Sequence, residues 1–258
     1  MRPLPRRLRH GEEATLVEHL DELRARVIIS LLTVFVAFAV AYAFHHRLIR
    51  WLELALPAQR RHLITFGVAE PFLTSMWVSL YAALVLALPV ILWQTWSFLA
   101  PAVEEHTQRA VGAFVVFASV LAAGGIAFAY FVVLPAAVHF LTNYDSKLFN
   151  IQIRARDYIS FASLVMLAVA IVFEVPIFVL ALVRLRIMSA ARLRRTWRTG
   201  VVVMAALAVA LPGVDPVTTT IEMIPLIVLY LLAVGLAGIF ERRWRPEVEP
   251  EPASIESL

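Results

Sequence analysis

The sequence predicts an all-α polytopic membrane protein with six transmembrane helices and with both the N-terminus and the C-terminus in the cytoplasm. Of its 258 residues, 61% are hydrophobic and only 16% are charged, whereas soluble domains are roughly half apolar and about a quarter charged. Six segments are long and apolar enough, or nearly so, to cross about 30 Å of hydrocarbon. Because lipid offers no hydrogen bonds, each segment must satisfy its own backbone, which favours helices.

The spans are predicted at residues 27–44, 72–96, 110–139, 159–184, 199–213 and 217–240. The first follows a charged lead without a small-residue cleavage pattern, so we expect a retained span and not a removed signal peptide. The fifth has only about 14 apolar residues, from Gly200 to Gly213. We expect it either to thin the bilayer locally or to be extended into the headgroups by Thr196 and Trp197. Residues 1–240 then form a single membrane domain, and residues 241–258, rich in Glu and Pro, form a disordered cytoplasmic tail.

The distribution of basic residues predicts the orientation of the bundle. With the N-terminus inside, 16 of the 23 Lys and Arg residues fall in cytoplasmic segments, as the positive-inside rule favours. The net charge of +4 is therefore attributed to membrane topology, and no nucleic-acid partner is expected. A basic first outer loop weakens the asymmetry. The seven outer residues are Arg47, Arg50, Arg60, Arg61, Lys147, Arg154 and Arg156.

An amphipathic helix is predicted on the cytoplasmic face before the first span. Thr15 followed by Glu18 forms a capping box, which marks a helix start. Glu22 lies on the same face as Glu18, and Arg26 follows one turn later. The alternative interpretation is a surface helix in which the Glu22–Arg26 pair contributes a few tenths of a kcal/mol. The apolar stripe that predicts the helix consists of Leu16, Leu20, Leu23 and Val27.

The connection between the second and third spans, residues 89–106, is unlike a simple polar loop. It contains several aromatic residues and an acidic pair, Glu104 and Glu105. Pro89 and Pro101 are expected to fix turns, and the aromatic residues are expected to form a floor at headgroup level. Interfacial anchoring alone is the alternative.

Three acidic residues lie in or near the later spans. Glu174 falls well inside the fourth span, where a charge costs at least about 2.5–3.5 kcal/mol, so it is a functional candidate. A protonated, hydrogen-bonded Glu174 that holds the bundle together is the alternative. Pro176 predicts a kink nearby. Glu222 and Asp215 lie near the outer end of the sixth span, and Asp215 has the alternative of a solvated turn residue.

Several function classes are disfavoured by the residues themselves. The chain contains no cysteine, so thiolate metal sites and cysteine nucleophiles are excluded. It also lacks a Gly-x-Ser-x-Gly motif, a His-Glu-x-x-His motif and a phosphate-binding Gly-rich loop. We therefore expect no enzyme, metal or cofactor. The residues alone favour a secondary transporter with a midplane carboxylate site at Glu174 and Glu222.

In family order and spacing, the motifs resemble the TatC family, the multi-spanning receptor subunit of the twin-arginine (Tat) protein translocase. The similarity covers residues 17–240, nearly the whole chain. One motif alone would be weak evidence, but five in register on six spans are specific. The matching segments are His19 to Arg26, Leu88-Pro89 with Gln94, Trp96, Phe98 and Pro101, Phe128 to Phe131, Phe173 to Pro176, and Leu211-Pro212 with Asp215-Pro216.

The resemblance implies a signal-peptide receptor that exports folded proteins across the bacterial cytoplasmic membrane with the energy of the proton gradient. The implied partners are twin-arginine signal peptides, single-span TatA-like and TatB-like subunits, further copies of the chain and the lipid bilayer. Glu22 is implied to face the paired arginines of the signal. The other residues implied around this site are His19, Arg24, Arg26, Phe98, Pro101, Glu104 and Glu105.

The sequence departs from the family pattern at three positions. Thr107 stands where the family has a second glutamate of the signal site, so either Glu104 or Glu105 replaces that glutamate or the second contact is lost. Thr219 stands where a glutamine is usual, and Leu231 where a glutamate is frequent. Both departures concern the implied partner contact around the outer turn, at Asp215 and Thr219, and Glu222 is expected to compensate in part. The intramembrane glutamate of the family is kept as Glu174.

Overall fold

The chain is a bundle of α-helices in the computed structural model, which describes residues 16–99, 107–149, 151–213 and 215–244. Within these ranges no β-strand occurs, and the one β-bridge is an isolated pair between Ile64 and Arg154. The all-α prediction is confirmed. The predicted tail lies mostly outside the described residues, but the last helix continues to Trp244, four residues past the predicted boundary at 240.

Among the described residues, five helical stretches are long and apolar enough to cross a membrane: His19–Ala43, Glu70–Phe98, Phe114–Asn143, Ala155–Arg184 and Pro216–Ile239. These agree with five of the predicted spans. The helices are α1 Leu16–Ala43, α2 His45–Leu54, α3 Glu70–Leu99, α4 Thr107–Phe128, α5 Leu134–Asn143, α6 Ala155–Val172, α7 Val175–Arg184, α8 Ala190–Arg195, α9 Trp197–Ala210 and α10 Pro216–Trp244.

The fifth predicted span corresponds to α9, which has 14 residues from Trp197 to Ala210. At 1.5 Å per residue this helix is about 21 Å long, shorter than the hydrocarbon layer. Trp197 does extend the helix at its N-terminal end, but the helix also stops before Gly213. The count of six spans and the location of the two termini therefore stay predictions.

The expected turn at Pro89 is wrong. Pro89 lies in the interior of α3, which continues to Leu99, so the segment predicted as a connection from residue 89 is helical over its first half. A proline removes one backbone donor, but neighbouring helices make this tolerable inside a membrane span. Pro101 lies outside the described residues. A second interior proline, Pro225, lies in α10.

The expected kink near Pro176 is confirmed. Helix α6 ends at Val172, and α7 begins at Val175 with Pro176 in its first turn. Phe173 and Glu174 form the break between them. A proline fits a first helical turn because its missing N–H would have no partner there. A different irregularity, which the sequence did not predict, is a π-helical turn at Ala129–Val133 between α4 and α5.

Helix α6 lies at the centre of the bundle. It packs against α3 and α4, while α10 packs against α7 and α9, and α1 packs against α3 at the periphery. Ile159, Val165 and Val169 of α6 are at most 2% exposed. By contrast, Leu31 and Phe35 of α1 are 63% and 70% exposed. Large apolar side chains exposed along a membrane-crossing helix are expected to face lipid.

At the end of the bundle opposite the start of α1, an ion pair between Glu70 and Arg154 joins the start of α3 to the start of α6. Arg154 Nε and Nη2 donate to the two carboxylate oxygens of Glu70, at 2.8 and 3.1 Å. The backbone N–H groups of Phe66 and Gly67 also donate to Glu70, which is 4% exposed. The hydrogen bond to Glu70 raises the pKa of Arg154 above its usual value. Beside this pair, Ile64 N–H donates to Ile153 O at 3.0 Å.

Helices α9 and α10 approach each other closely at Gly200. A β-carbon at residue 200 would overlap the ring of Tyr230, and Tyr230 is only 5% exposed. The ring therefore occupies the volume that any side chain at residue 200 would need.

We expect Gly200→Ala to destabilise the α9–α10 pair by about 1–3 kcal/mol, the usual cost of overpacking a filled core. The readout is the apparent melting temperature of the purified protein in detergent. The matched control is Gly235→Ala on α10, where a β-carbon would meet no atom within 4 Å. Equal melting temperatures for the two variants would contradict this packing.

Candidate functional site

The start of α1 and the end of α3 meet at the face where α1 begins. The ring of His19 stacks on the ring of Phe98, with centroids 4.4 Å apart and an angle of 21° between planes. Two residues earlier on α3, Trp96 stacks on Phe114 of α4 at 5.2 Å. The aromatic residues at the end of α3 are thus fixed by neighbours on both sides.

Glu22 and Arg26 form an ion pair on α1. Arg26 Nη2 and Nε both donate to Oε1 of Glu22, at 2.5 and 3.2 Å, and Arg26 Nη1 donates to the backbone carbonyl of Gln94 on α3 at 3.4 Å. The side chains of Arg26 and Glu22 are 20% and 25% exposed. The pair is therefore partly desolvated, and the guanidinium bridges two helices while it occupies the carboxylate.

The apolar stripe of the N-terminal helix faces away from the bundle. Leu20 is 61% exposed, Leu23 is 40% exposed and Val27 is 47% exposed. Arg24 is also exposed. The side chain of Leu16 is not described. Near Glu22, α1 thus exposes apolar side chains, which suits a position between lipid headgroups and hydrocarbon.

Of the residues predicted for signal binding, the structure brings four together: His19, Phe98, Glu22 and Arg26. Pro101, Glu104 and Glu105 lie outside the described residues. The backbone carbonyl of Gln94 was not predicted as part of this cluster, because every residue has such a carbonyl and only the packing of α1 against α3 selects this one.

Glu174 lies at the break between α6 and α7, as its position before Pro176 predicts. It is 2% exposed, and neither carboxyl oxygen has a hydrogen-bond partner among the described residues. Its backbone carbonyl accepts from the N–H of Phe178 at 3.1 Å. The described residues thus do not form the hydrogen-bonded arrangement of Glu174 that was the alternative in the sequence analysis.

Glu222 points into the bundle and not toward its surface. It is 2% exposed, and its two oxygens also lack partners in the described part of the chain. Its side chain lines a small crevice together with Phe173, Leu211 and Leu226. A residue so enclosed cannot touch a partner helix without a rearrangement.

Asp215 caps α10 and is buried. Its carboxylate accepts from the N–H of Thr218 at 2.8 Å and also from the hydroxyl of Thr218. It is 3% exposed, so it is not a solvated turn residue. Thr219 donates its hydroxyl to the backbone carbonyl of Asp215 at 3.0 Å. Leu231, further along α10, is 41% exposed.

No group of three or more His, Asp or Glu residues that could hold a metal ion occurs in the ranges that the structure describes. The cluster around Glu22 is suited to binding a cation through a carboxylate beside stacked rings. It combines a partly desolvated acceptor, a guanidinium hydrogen-bonded to both helices and a flat aromatic surface.

Comparisons with known proteins point in one direction. The family model described as "Sec-independent protein translocase protein (TatC)" matches residues 18–225. The chain is 32% identical to the TatC protein of Deinococcus radiodurans over 99% of this chain and 96% of the relative. It is also 32% identical to that of Campylobacter jejuni, over 93% and 96%. The chloroplastic protein of Arabidopsis thaliana is 34% identical over 89% of this chain and 68% of the relative.

Solved structures agree with these relatives. A crystal structure of the twin arginine translocase receptor TatC matches with a TM-score of 0.74 and 29% identity, over 87% of this chain and 100% of that chain. A second crystal structure of the receptor, in DDM, matches with a TM-score of 0.76 and 30% identity, over 85% and 99%. None of these matches is to a small-solute transporter. The chain belongs to the TatC family of Sec-independent protein translocase proteins.

Proposed function

We propose that this chain is the signal-peptide receptor of a twin-arginine translocase in a bacterial cytoplasmic membrane, and that Glu22 binds the paired arginines of the signal. The observation that carries the proposal is the Glu22–Arg26 ion pair. It shows that this carboxylate, at the start of α1, already accepts a guanidinium in a partly desolvated setting.

The choice of arginine over lysine follows from geometry. A guanidinium is a planar fork that a carboxylate can accept through two parallel bonds, whereas an ammonium is a point charge. A fully exposed pair contributes only about 0.2–1 kcal/mol, too little for selection. Because Glu22 is 25% exposed, the attraction acts at a lower effective dielectric and is correspondingly larger.

Arg26 is the internal competitor of the signal. Both of its bonds to Glu22 fall on Oε1, and it also reaches the carbonyl of Gln94. A signal arginine can take the carboxylate while Arg26 keeps its bond to α3. Between binding events, the guanidinium of Arg26 thus neutralises the charge of Glu22. The carboxylate is therefore not left unpaired at the edge of the membrane.

The surroundings of Glu22 suit the rest of a signal peptide. The ring of His19 on α1 stacks on the ring of Phe98 on α3, and a guanidinium packs favourably on such an aromatic surface. Leu20 and Leu23 offer exposed apolar area beside it. The apolar segment of the signal gains affinity by burying such surface, at about 25 cal/mol per Å². Arg24 orients the approaching peptide, and Pro101 with Glu104 or Glu105 completes the site.

The remaining parts of the proposal concern topology and partners. Six spans place both termini in the cytoplasm, and the proton gradient supplies the energy without a cofactor or a catalytic step by this chain. Single-span TatA-like and TatB-like subunits and further copies of the chain bind the lipid-facing helices. Glu174 acts inside the bundle and does not itself touch these partners, whereas Asp215 and Thr219 shape the turn that presents α9 and α10.

Replacing Glu22 by Gln tests the central assignment. We expect Glu22→Gln to abolish export of a twin-arginine reporter, because a neutral amide cannot pair two guanidiniums, while membrane insertion stays normal. The matched control is Asp21→Asn, which removes an acidic charge from the adjacent, exposed position and should export normally. Export is measured by cell fractionation, and insertion by labelling of single introduced cysteines. Normal export by the Glu22→Gln protein would overturn the assignment.

Replacing Arg26 by Gln tests the competition. An internal competitor lowers the fraction of free Glu22 and therefore weakens every ligand by the same factor. We expect Arg26→Gln to tighten binding of a paired-arginine signal peptide about twofold, the size of a typical i,i+4 pair. The affinity for a paired-lysine peptide should rise by the same factor, so that their ratio is unchanged. Binding is measured with fluorescent peptides and the receptor in nanodiscs.

The control for the Arg26 experiment is Arg195→Gln, which removes the same charge from an exposed position on α8, outside the proposed site. An equal gain in that variant would mean that general charge, and not competition for Oε1, is responsible. Weaker binding in Arg26→Gln would mean that Arg26 positions Glu22 and does not compete for it.

A further inference from the structure

An apolar cavity of about 300 Å³ opens in the flank of the bundle, between α1, α2, α3, α4 and α6. Its floor is fully enclosed, with Ala41, Leu52 and Val78 each 3% exposed. Its rim is open, with Phe44 at 48% and Leu86 at 57% exposure. The volume falls within the range of pockets that hold small molecules, about 300–1,000 Å³. An open apolar rim along membrane-crossing helices faces hydrocarbon chains.

A second, basic cavity of about 480 Å³ adjoins the first. Its walls contain three arginines, Arg47, Arg50 and Arg61, against one acidic residue, Glu53. In the part of the chain that the structure describes, none of these arginines forms an ion pair. The hydrogen bonds that the structure gives Arg50 and Arg61 go to the backbone carbonyls of residues 46, 54 and 56. The cluster thus holds excess positive charge, since its three arginines face one carboxylate and are not paired with it.

Two contacts join the cavities into one continuous surface. Trp51 lines both of them, and its ring is fixed by stacking on Tyr130 at 4.0 Å. The guanidinium of Arg47 lies over the ring of Phe44, 5.4 Å from its centroid, and Phe44 belongs to the apolar rim. An apolar slot therefore leads directly to a group of arginines.

The position of this surface matches the membrane boundary. The first membrane-crossing stretch ends at Ala43, and Arg47 follows four residues later on α2. Val40 and Ala41 line the slot from the last turn of the same stretch. Arginines thus stand at headgroup level, while the slot descends into the hydrocarbon beside them.

We propose that this surface is a binding site for one anionic phospholipid, with its phosphodiester headgroup on Arg47 and Arg50 and one acyl chain in the slot. The charge of the basic cavity is complementary to a phosphate, and guanidinium forks bind phosphate oxygens through paired, charge-assisted hydrogen bonds. The lipid is drawn from the leaflet on the α2 side of the membrane. This inference goes beyond the proposed receptor function and does not depend on it.

A transmembrane helix of another protein fits this surface less well. The arginines and the slot are in contact, so the occupant must place its negative charge at the very end of its apolar part. A phospholipid has this arrangement in every molecule. It is also present at high concentration wherever the chain is inserted, so a modest affinity suffices for occupancy.

Native mass spectrometry of the purified full-length protein tests the proposal, with phosphatidylglycerol and phosphatidylcholine of identical chains as probes. We expect tighter binding of phosphatidylglycerol, and a loss of about tenfold in Arg47→Gln/Arg50→Gln, which corresponds to one charge-assisted hydrogen bond. The matched control is Arg156→Gln, an exposed arginine outside the cavity, which should bind as the unaltered protein does.

The slot is tested separately with Ala82→Phe, which places a ring in the apolar cavity. We expect it to weaken binding of both diacyl lipids severalfold, whereas Val116→Phe, at an exposed position on α4 outside the slot, should have no effect. Equal affinity for the two headgroups, an unchanged affinity in Arg47→Gln/Arg50→Gln, or an equal loss in Arg156→Gln would overturn the headgroup site. Competition by glycerol phosphate as strong as that by the lipid, or an unchanged affinity in Ala82→Phe, would overturn the acyl-chain slot.

Discussion

Water is scarce where the helices of this chain enter the bilayer, and a carboxylate there must be compensated by whatever donor lies within reach. Glu22 stands at this boundary, 25% exposed, with the guanidinium of Arg26 bonded to one of its oxygens. A fully hydrated carboxylate would not distinguish a guanidinium from other cations, and a fully buried one would be closed to a peptide. The intermediate exposure allows both access and selection. In the receptor proposed above, recognition at the face where α1 begins depends on this one carboxylate.

The acidic side chains of the bundle differ in how completely they are compensated. Glu70 receives two bonds from Arg154 and two from backbone N–H groups, so it is a structural tie. Glu174 and Glu222 are equally buried but have no partner among the described residues. An uncompensated carboxyl is costly, and its retention inside a membrane bundle indicates use. Glu22 lies between these cases, because its partner is a single side chain that can be exchanged.

Local sequence signals predicted the helices and the break at Glu174. Both signals lie within the segment itself: the length of an apolar run predicts a span, and a proline predicts the start of a new helix. They failed at Pro89, since packing of α3 against its neighbours outweighs the lost hydrogen bond. They also could not tell that Glu222 points inward, or that the carbonyl of Gln94 meets Arg26. Both facts depend on how distant helices rotate against each other. Propensity and spacing carry no information about this rotation.

The basic outer loop is the exception to the charge asymmetry that predicts the orientation, and the structure separates its arginines into two groups. Arg60 and Arg61 donate to the backbone carbonyls of residues 151, 54 and 56, so their positive charge holds the loop in its fold. Arg47 and Arg50 lie on α2 and, together with Arg61, line the basic cavity at the end of α1. Lipid phosphate groups beside Arg47 and Arg50 would neutralise their positive charge. With that charge neutralised, the two arginines would not disfavour an outer location of the loop. A bound anionic lipid would thus reconcile the composition of this loop with the topology that the rest of the chain favours.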